Sequence, residues 1–188
     1  RYDIAHSVSK LSQYSAVPTE GAMRAMTRVL TYLKNTPDFS LQSGSKPANT
    51  DTVRYYSDSD HGGDRPHTTK SQTGTMITLN SVPVYWSSKK QTASTAISSA
   101  LAEIYALSDT VRASQLYAWR CEEAGIPVSW PLVVQVDNTQ TKAFHQGTTL
   151  QSRLRGVVDL RWGWVQELKD KARISAKWVG GDSNKADL

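Results

Sequence analysis

The sequence predicts an α/β fold in which one mixed five-stranded sheet is flanked by helices, with the elements in the order βββαβααβα. Three observations predict it. Residues 52–88 contain three strand-like runs separated by turn residues, which is typical of a meander. Residues 97–124 repeat apolar side chains at helical spacing, and Gly125 then acts as a stop signal. Two further strand-like runs, at 132–136 and 174–179, alternate with helical patterns.

Each element follows from a local pattern. The pair Asn80-Ser81 favours a turn between the second and third strands. The run 132–136 is short and mostly apolar, as in a buried strand. Asn184 is a candidate cap for a last helix. The remaining expected ranges are 52–58, 75–79 and 82–88 for the first three strands, and 139–146 and 157–172 for the two helices before the final strand.

A separate helix is expected upstream, over residues 18–35, with Thr19 as its N-cap. Its apolar repeat consists of Met23, Met26, Leu30 and Leu33. A polar stretch rich in Pro, Ser, Gly and Asn follows over 35–51 and marks the best domain boundary. The chain is therefore expected to divide into residues 1–48 and 49–188.

Composition limits the classes of protein. The 188 residues suffice for one substantial domain, or for one domain with an appendage. The net charge of +5 favours polyanionic partners, nucleic acid before an anionic membrane surface. The single cysteine, Cys121, excludes an intramolecular disulfide, fits a reducing compartment and is expected to be a buried structural thiol. No apolar run approaches the ~20 residues of a membrane span. Separately, the chain is expected to be a fragment of a longer protein.

Four acidic residues stand where a solvated charge is not the natural interpretation. Asp58 closes the first predicted strand, and Asp137 directly follows the apolar strand. Glu103 lies beside the apolar stripe of the long helix, and Asp187 lies in the first turn of the last helix. Carboxylates are the ligands that Mg²⁺ prefers, and two ions held by such a set can serve phosphodiester cleavage. For each residue taken alone, a helix cap or a strand end is the alternative.

Short motifs follow one another along the chain after the polar stretch. They are Tyr56-Ser57-Asp58-Ser59-Asp60, Gly63-Asp64, Lys70-Ser71-Gln72-Thr73-Gly74, Trp86-Ser87-Ser88-Lys89-Lys90-Gln91, Ser98-Ser99, Ala102-Glu103, Ala106-Leu107-Ser108, Asp137-Asn138 and Asn184-Lys185-Ala186-Asp187. In this order they resemble the ribonuclease H region of copia-type LTR retrotransposons. Upstream, Asp3-Ile4-Ala5 and the segment 28–34 resemble the C-terminal end of the reverse transcriptase of the same elements.

The resemblance implies a ribonuclease H-like fold and hydrolysis of the RNA strand of RNA–DNA hybrids during reverse transcription. It implies two Mg²⁺ ions, for which Mn²⁺ is a substitute, and as partners the hybrid and an adjoining reverse transcriptase domain, with no membrane. The implied location is a cytoplasmic particle of the element or the nucleus. The implied catalytic and metal-binding residues are Asp58, Glu103, Asp137 and Asp187, with Asp60 second in rank.

Polar groups near these carboxylates are expected to contact the substrate through 2′-hydroxyls or phosphates. They are Ser57, Lys89, Lys90, Gln91, Ser99 and Asn138. The chain departs from the family pattern at Leu101, where a Glu is usual, and at Val157 and Gly163, where histidines are usual. If such a histidine assists proton transfer, this copy is expected to be slower.

Two other functions stay open. One is a catalytically inactive module that binds nucleic acid or connects domains of a reverse transcriptase, although such a module has no reason to keep four carboxylates. The other is an integrase or resolvase on the same fold, which the order of the motifs argues against. His61, His67 and His145 lack partners at metal-ligand spacing and are expected at the surface or in packing, and Trp86 and Trp119 are expected in the core.

Overall fold

The five strands lie in four of the stretches of the chain that the structure describes. The computed structural model describes residues 1–42, 53–60, 70–92, 99–137 and 155–187. Within these ranges the strands are β1 (Val53–Asp60), β2 (Gln72–Leu79), β3 (Val82–Lys90), β4 (Leu132–Val136) and β5 (Ile174–Trp178). The helices are α1 (Ala5–Ser12), α2 (Glu20–Asn35), α3 (Ser99–Glu123) and α4 (Arg155–Asp170), with 3-10 turns at Tyr2–Ile4 and Gly181–Ser183.

The sheet is mixed and has the spatial order β3-β2-β1-β4-β5. The first three strands form an antiparallel meander, and β2 turns into β3 through Asn80 and Ser81, which both have positive φ. Strands β4 and β5 run parallel to β1. The carboxyl ends of β1, β4 and β5, at Asp60, Val136 and Trp178, therefore lie along the same edge of the sheet, which we call the carboxyl edge.

The predicted mixed five-stranded sheet is confirmed, with longer strands at the carboxyl edge. The first strand continues two residues past Asp58, so that residue lies inside β1 instead of closing it. The cause is the antiparallel ladder, in which Asp58 pairs with Gly74 and Asp60 pairs with Gln72. The second strand starts three residues before its predicted beginning for the same reason.

Helices α3 and α4 cover one face of the sheet. Since side chains alternate along a strand, Tyr55 and Ile77 point to this face together with apolar residues of β4 and β5. Cys121 is buried here, as predicted. The prediction that Trp119 lies in the core is wrong. Ala118 and Cys121 lie on the side of α3 that faces the sheet, and Trp119 lies on another side and is half-exposed. The core residues are Tyr55, Ile77, Leu107, Val111, Ala118, Leu132, Val134, Val136, Val165, Ile174 and Ala176.

The opposite face carries a smaller apolar cluster. Tyr56 and Met76 are buried there beside Ala186, and Tyr2 and Trp86 pack against them. The rings of Tyr2 and Trp86 meet edge to face, with centroids 6.3 Å apart. Residues at the start of the chain therefore pack on the same sheet as residues near its end.

The upstream helix is confirmed over Glu20–Asn35, and the Thr19 hydroxyl accepts a hydrogen bond from the Ala22 amide at 3.2 Å, as an N-cap does. Its apolar repeat does not form a core. Met23 and Leu30 are exposed, while the small residues on the adjoining side of α2 line a groove against α1.

The segment after β5 forms a turn. The Asn184 side-chain oxygen accepts a hydrogen bond from the Ala186 amide at 3.2 Å, but residues 184–187 do not form the expected last helix. The helix predicted over 139–146 lies outside the described residues. Within the described parts of the chain, no helix is both long enough and apolar enough to cross a membrane.

Candidate active site

Asp58 lies in β1 at the carboxyl edge, on the face of the sheet away from α3. It follows Tyr56 by two residues and therefore shares its face, while Ser57 points to the other side. Its partner across the ladder is Gly74 of β2. The side chain of Asp58 is half-buried, whereas that of Asp60 is exposed at the end of the strand. Its position in a central strand therefore shields the Asp58 carboxylate partly from solvent.

The turn after β5 packs directly onto this part of the sheet. The buried Asn184 amide donates to the Ser57 backbone carbonyl at 3.0 Å and fixes the turn to β1. Gly74 lets the turn approach β2, because a Cβ at this position would overlap the carbonyl oxygen of Ala186. Ala186 is 1% exposed, and Asp187 follows it in the chain. These contacts hold the carboxylate of Asp187 near that of Asp58.

Asp137 reaches the same edge from β4. The Val179 amide donates to the Val136 carbonyl at 2.8 Å, which continues the parallel ladder to the end of both strands. The Trp178 indole donates to the Asp137 backbone carbonyl at 3.1 Å. A carboxylate oxygen of Asp137 lies 3.8 Å from where a Cβ of Gly181 would stand. The ends of β4 and β5 therefore fix the direction in which this side chain leaves the sheet.

The pKa of Asp58 depends on the charges of these neighbouring groups. Burial is the main cause that raises the pKa of Asp58 to about 6, and the charges of Asp137 and Asp187 raise it further. The backbone amide of Ser59 opposes this rise, and Asp60 adds to it. The negative charges of Asp137, Asp187 and Asp60 therefore favour a proton on Asp58, or a cation near it.

A cavity of about 250 Å³ opens beside Asp58. Asp60 and Asp187 line it, and so do polar and small residues from the start of β2, the end of β3 and helix α1. The other lining residues are His6, Gln72, Gly74, Ser88 and Ala186. The cavity is therefore open to a ligand on the side of the sheet that α3 does not cover.

Glu103, the fourth predicted carboxylate, lies in the second turn of α3 and is partly buried. The preceding residue is tied to the sheet, since the Gln91 amide donates to the Ala102 carbonyl at 2.9 Å and to the Thr73 hydroxyl at 3.1 Å. Among the described residues, no three His, Cys, Asp or Glu side chains are close enough together to hold a metal ion. The structure thus brings Asp137 and Asp187 towards Asp58 without closing a coordination shell.

Two residues expected to contact substrate have buried side chains. Ser57 is 2% exposed, and its hydroxyl accepts from Thr110, which also bonds to Thr75 at 2.8 Å. Gln91 is 6% exposed and is held by Thr73 and Ala102. Both side chains are hydrogen-bonded within the protein and do not face solvent.

Three of the remaining four candidates lie at the ends of elements. Lys89 is exposed at the end of β3, and the ammonium group of Lys90 donates to the Gln13 side chain at 2.8 Å. Ser99 begins α3. Asn138 lies outside the described residues, as do His61, His67 and His145.

Sequence reasoning missed three residues that shape the site. Gly74 belonged to a recognised motif, but its role as a contact for the final turn has no local signal. Asn184 was expected to cap a helix. Its hydrogen bond to Ser57 could not be predicted, because it joins residues 127 positions apart. His6 was not singled out, since nothing in the sequence near it shows that α1 reaches the cavity.

The donor set fits a hard divalent cation. Asp58, Asp137 and Asp187 supply carboxylate oxygens, the ligands that Mg²⁺ and Mn²⁺ prefer. Their mutual repulsion, seen in the raised pKa of Asp58, is the cost that a bound cation would remove.

The order of the strands and the helices that cover them define a ribonuclease H-like fold. A solved structure of LC11-RNase H1 matches with a TM-score of 0.52 and 16% identity, covering 74% of this chain and 91% of that one. The structure of the same protein in complex with an RNA/DNA hybrid matches with a TM-score of 0.50, over 71% of this chain and 89% of that one. At this identity the likeness shows the fold, which is that of ribonuclease H.

The sequence is similar to segments of transposon polyproteins, although no family model matches it. It is 34% identical over 160 residues to the retrovirus-related Pol polyprotein from transposon RE2 of Arabidopsis thaliana, covering 84% of this chain and 10% of that protein. It is 27% identical over 189 residues to the polyprotein from transposon TNT 1-94 of Nicotiana tabacum, covering 100% of this chain and 14% of that protein. The chain therefore has a ribonuclease H-like fold and is similar in sequence to retrovirus-related Pol polyproteins of transposons, and it spans about a tenth of the length of these relatives.

The close approach of the final turn to β2 predicts a large effect of Gly74→Ala. The added methyl group would overlap the Ala186 carbonyl, and we expect a loss of about 1–3 kcal/mol in the free energy of unfolding, measured by urea denaturation. The matched control is Gly163→Ala in α4, where no atom lies within 4 Å of the new Cβ. We expect that control to gain about 0.5–1 kcal/mol, as Ala does over Gly in a helix. Equal effects of the two substitutions would contradict the packing of residues 184–187.

The raised pKa of Asp58 predicts a pH-dependent effect of Asp58→Asn without metal. Because the folded protein holds the proton more tightly than the unfolded chain, wild-type stability falls as the pH rises from about 4 to about 6. The variant carries no charge at this position, and we expect it to be about 1–2 kcal/mol more stable above pH 6, after allowance for solvent screening. The difference should vanish near pH 4.

Urea denaturation at pH 4, 5, 6 and 7 in EDTA measures this difference. Asp170→Asn, an exposed carboxylate at the end of α4, is the control. A difference between wild type and Asp58→Asn that does not change with pH would show that the folded protein does not raise the pKa of Asp58, through burial or through the neighbouring carboxylates.

Proposed function

We propose that this chain is a metal-dependent endonuclease that hydrolyses the RNA strand of RNA–DNA hybrids during reverse transcription of a retrotransposon. The observation that carries the proposal is the half-buried Asp58, whose pKa is raised by burial and by the charges of Asp137 and Asp187. Such a perturbed carboxylate in a cleft favours a functional site over a structural one. The hybrid found with LC11-RNase H1, a protein of the same fold, supports the substrate.

The catalytic and metal-binding residues in this proposal are Asp58, Glu103, Asp137 and Asp187. When bound, two Mg²⁺ ions, or Mn²⁺ in their place, would supply Lewis acidity and offset the negative charge that develops at phosphorus. Asp58 fixes the position of the set, since it stands in a central strand. Asp137 and Asp187 approach it from the end of β4 and from the turn after β5. Glu103 would have to complete the set from α3.

Substrate contacts in the proposal fall on fewer residues than the sequence suggested. In this proposal Lys89 and Lys90, at the end of β3, would interact with phosphates of the hybrid. Ser57 and Gln91 act instead within the protein, because their side chains are buried and bonded. Ser99 and Asn138 stay candidates for contacts with 2′-hydroxyls.

We further propose that residues 49–188 carry the nuclease and that residues 1–48 come from the end of the reverse transcriptase. The partners would then be the hybrid and the adjoining polymerase domain of the same polyprotein. The place of action would be a particle of the element in the cytoplasm, or the nucleus.

One observation favours a second candidate, a non-catalytic module that binds nucleic acid or connects domains. The described residues do not form a closed metal site. In such a module the fold would serve as a scaffold for the polymerase, and the carboxylates would hold no metal during hybrid binding.

A cleavage assay separates these candidates. We expect the chain to cut the RNA strand of a labelled RNA–DNA hybrid in Mg²⁺, and to cut neither strand in EDTA. Asp137→Asn should lower the rate by at least about 100-fold, since the charge of one ligand is lost. Asp170→Asn, at the exposed end of α4, should leave the rate unchanged.

The alternative outcomes are distinct. Tight binding of the hybrid without cleavage, by a protein that unfolds cooperatively, would favour the scaffold. Cleavage of duplex DNA in preference to the hybrid would favour an integrase-like or resolvase-like enzyme. Equal cleavage by wild type and Asp137→Asn would remove Asp137 from the site.

A further inference from the structure

Helix α1 (Ala5–Ser12) lies upstream of the proposed domain boundary, yet it contributes to the wall of the nuclease cleft. Its residue His6 lines the cavity of about 250 Å³ together with Asp58, Asp60 and Asp187. The His6 side chain is partly buried at this position. A segment whose sequence resembles a polymerase therefore reaches the carboxylates.

One face of α1 is fixed to the sheet by polar contacts. His6, Ser9 and Gln13 recur at spacings of three and four residues and lie on one side of the helix. The amide of Gln72, which is 2% exposed, donates to the Ser9 hydroxyl at 2.8 Å and to the Ser88 hydroxyl at 3.0 Å. Lys90 donates to Gln13 at 2.8 Å. The part of this face that carries His6 is thus directed at the cleft.

A second anchor holds the beginning of the segment. Tyr2 packs on Trp86 of β3 and, at a centroid distance of 5.9 Å, on Phe39 after α2. It also joins the cluster of Tyr56, Met76 and Ala186 on the sheet. Because α1 is held before its first residue and after its last, the location of His6 follows from contacts that do not involve His6.

The electrostatics agree with this location. Burial lowers the pKa of His6, and the charge of Lys10 lowers it further, whereas Asp60 and Asp187 raise it. The two carboxylates that raise the pKa of His6 are therefore the same ones that line the cavity with it.

A phosphodiester in this cleft would need hydrogen-bond donors, since its walls are rich in carboxylates. Of the described residues that line the cavity, His6 and Gln72 carry side-chain N–H groups. The amide of Gln72 is already shared between Ser9 and Ser88. His6 is the remaining source of a nitrogen donor on that wall.

We infer that His6 is a further substrate-binding residue of the nuclease site and donates a ring N–H to a phosphate oxygen of the hybrid. This inference rests on the function proposed above, because it takes the hybrid as the occupant of the cleft. It also makes residues 1–13 a working part of the nuclease.

The test compares His6→Leu with His6→Gln in the full 188-residue chain. Leucine keeps bulk and helix propensity but removes the donor, whereas glutamine keeps an N–H of similar reach. We expect His6→Leu to raise the KM for hybrid cleavage about 10-fold, as for one hydrogen bond to a charged group. The kcat should stay within about 2-fold of wild type. His6→Gln should restore the KM, and Val8→Ala, at an exposed position of the same helix, should change neither constant.

The same variants in an Asp137→Asn background give the hybrid dissociation constant without cleavage, and we expect the same 10-fold weakening for leucine. If the wild type binds the hybrid without cutting it, the proposed nuclease function fails, and these dissociation constants alone decide the role of His6. An unchanged KM and dissociation constant for His6→Leu would overturn the inference. An equal loss in the leucine and glutamine variants would also overturn it, because the donor would then not matter.

Discussion

The site depends on the contact between the last described residues and the central strands. Asn184 bonds to the backbone of β1, and the turn it fixes rests on β2 at a position that admits only glycine, Gly74. Without this contact, Asp187 would have no fixed relation to Asp58. Since the two are more than a hundred residues apart, the active arrangement exists only when the whole fold is formed. The sheet order matters for the same reason, because it brings the end of β4 to the same edge.

Packing at this edge works against electrostatics. Burial in a central strand and two nearby carboxylates both disfavour the charge on Asp58. A stable fold alone gains nothing from such an arrangement, whereas a site for divalent cations requires it. The raised pKa of Asp58 thus connects the position of the strand to the proposed chemistry. A bound cation would offset the unfavourable charge that destabilises the metal-free protein here, and this gain in stability would favour cation binding.

The sequence was a good guide to the fold and a partial guide to the site. Strand periodicity, the long repeat of α3 and the Thr19 cap are local patterns, and the structure confirms them. Asp58 and Asp137 could be found because Asp58 ends a predicted strand and Asp137 directly follows a short apolar one. The burial of Ser57 could not be predicted, because it depends on Thr110, 53 residues away. Trp119 was misplaced because an apolar residue on a long helix does not reveal which side faces the sheet.

A crystal structure of the wild-type chain grown with Mn²⁺, with anomalous scattering used to locate the metal, would test the proposed metal site most directly. We expect a Mn²⁺ peak at the carboxylates of Asp58 and Asp137, on the side of the sheet where Asp187 approaches. A saturating Mn²⁺ concentration that leaves these carboxylates without metal, in crystals of a protein that still cleaves the hybrid, would contradict it.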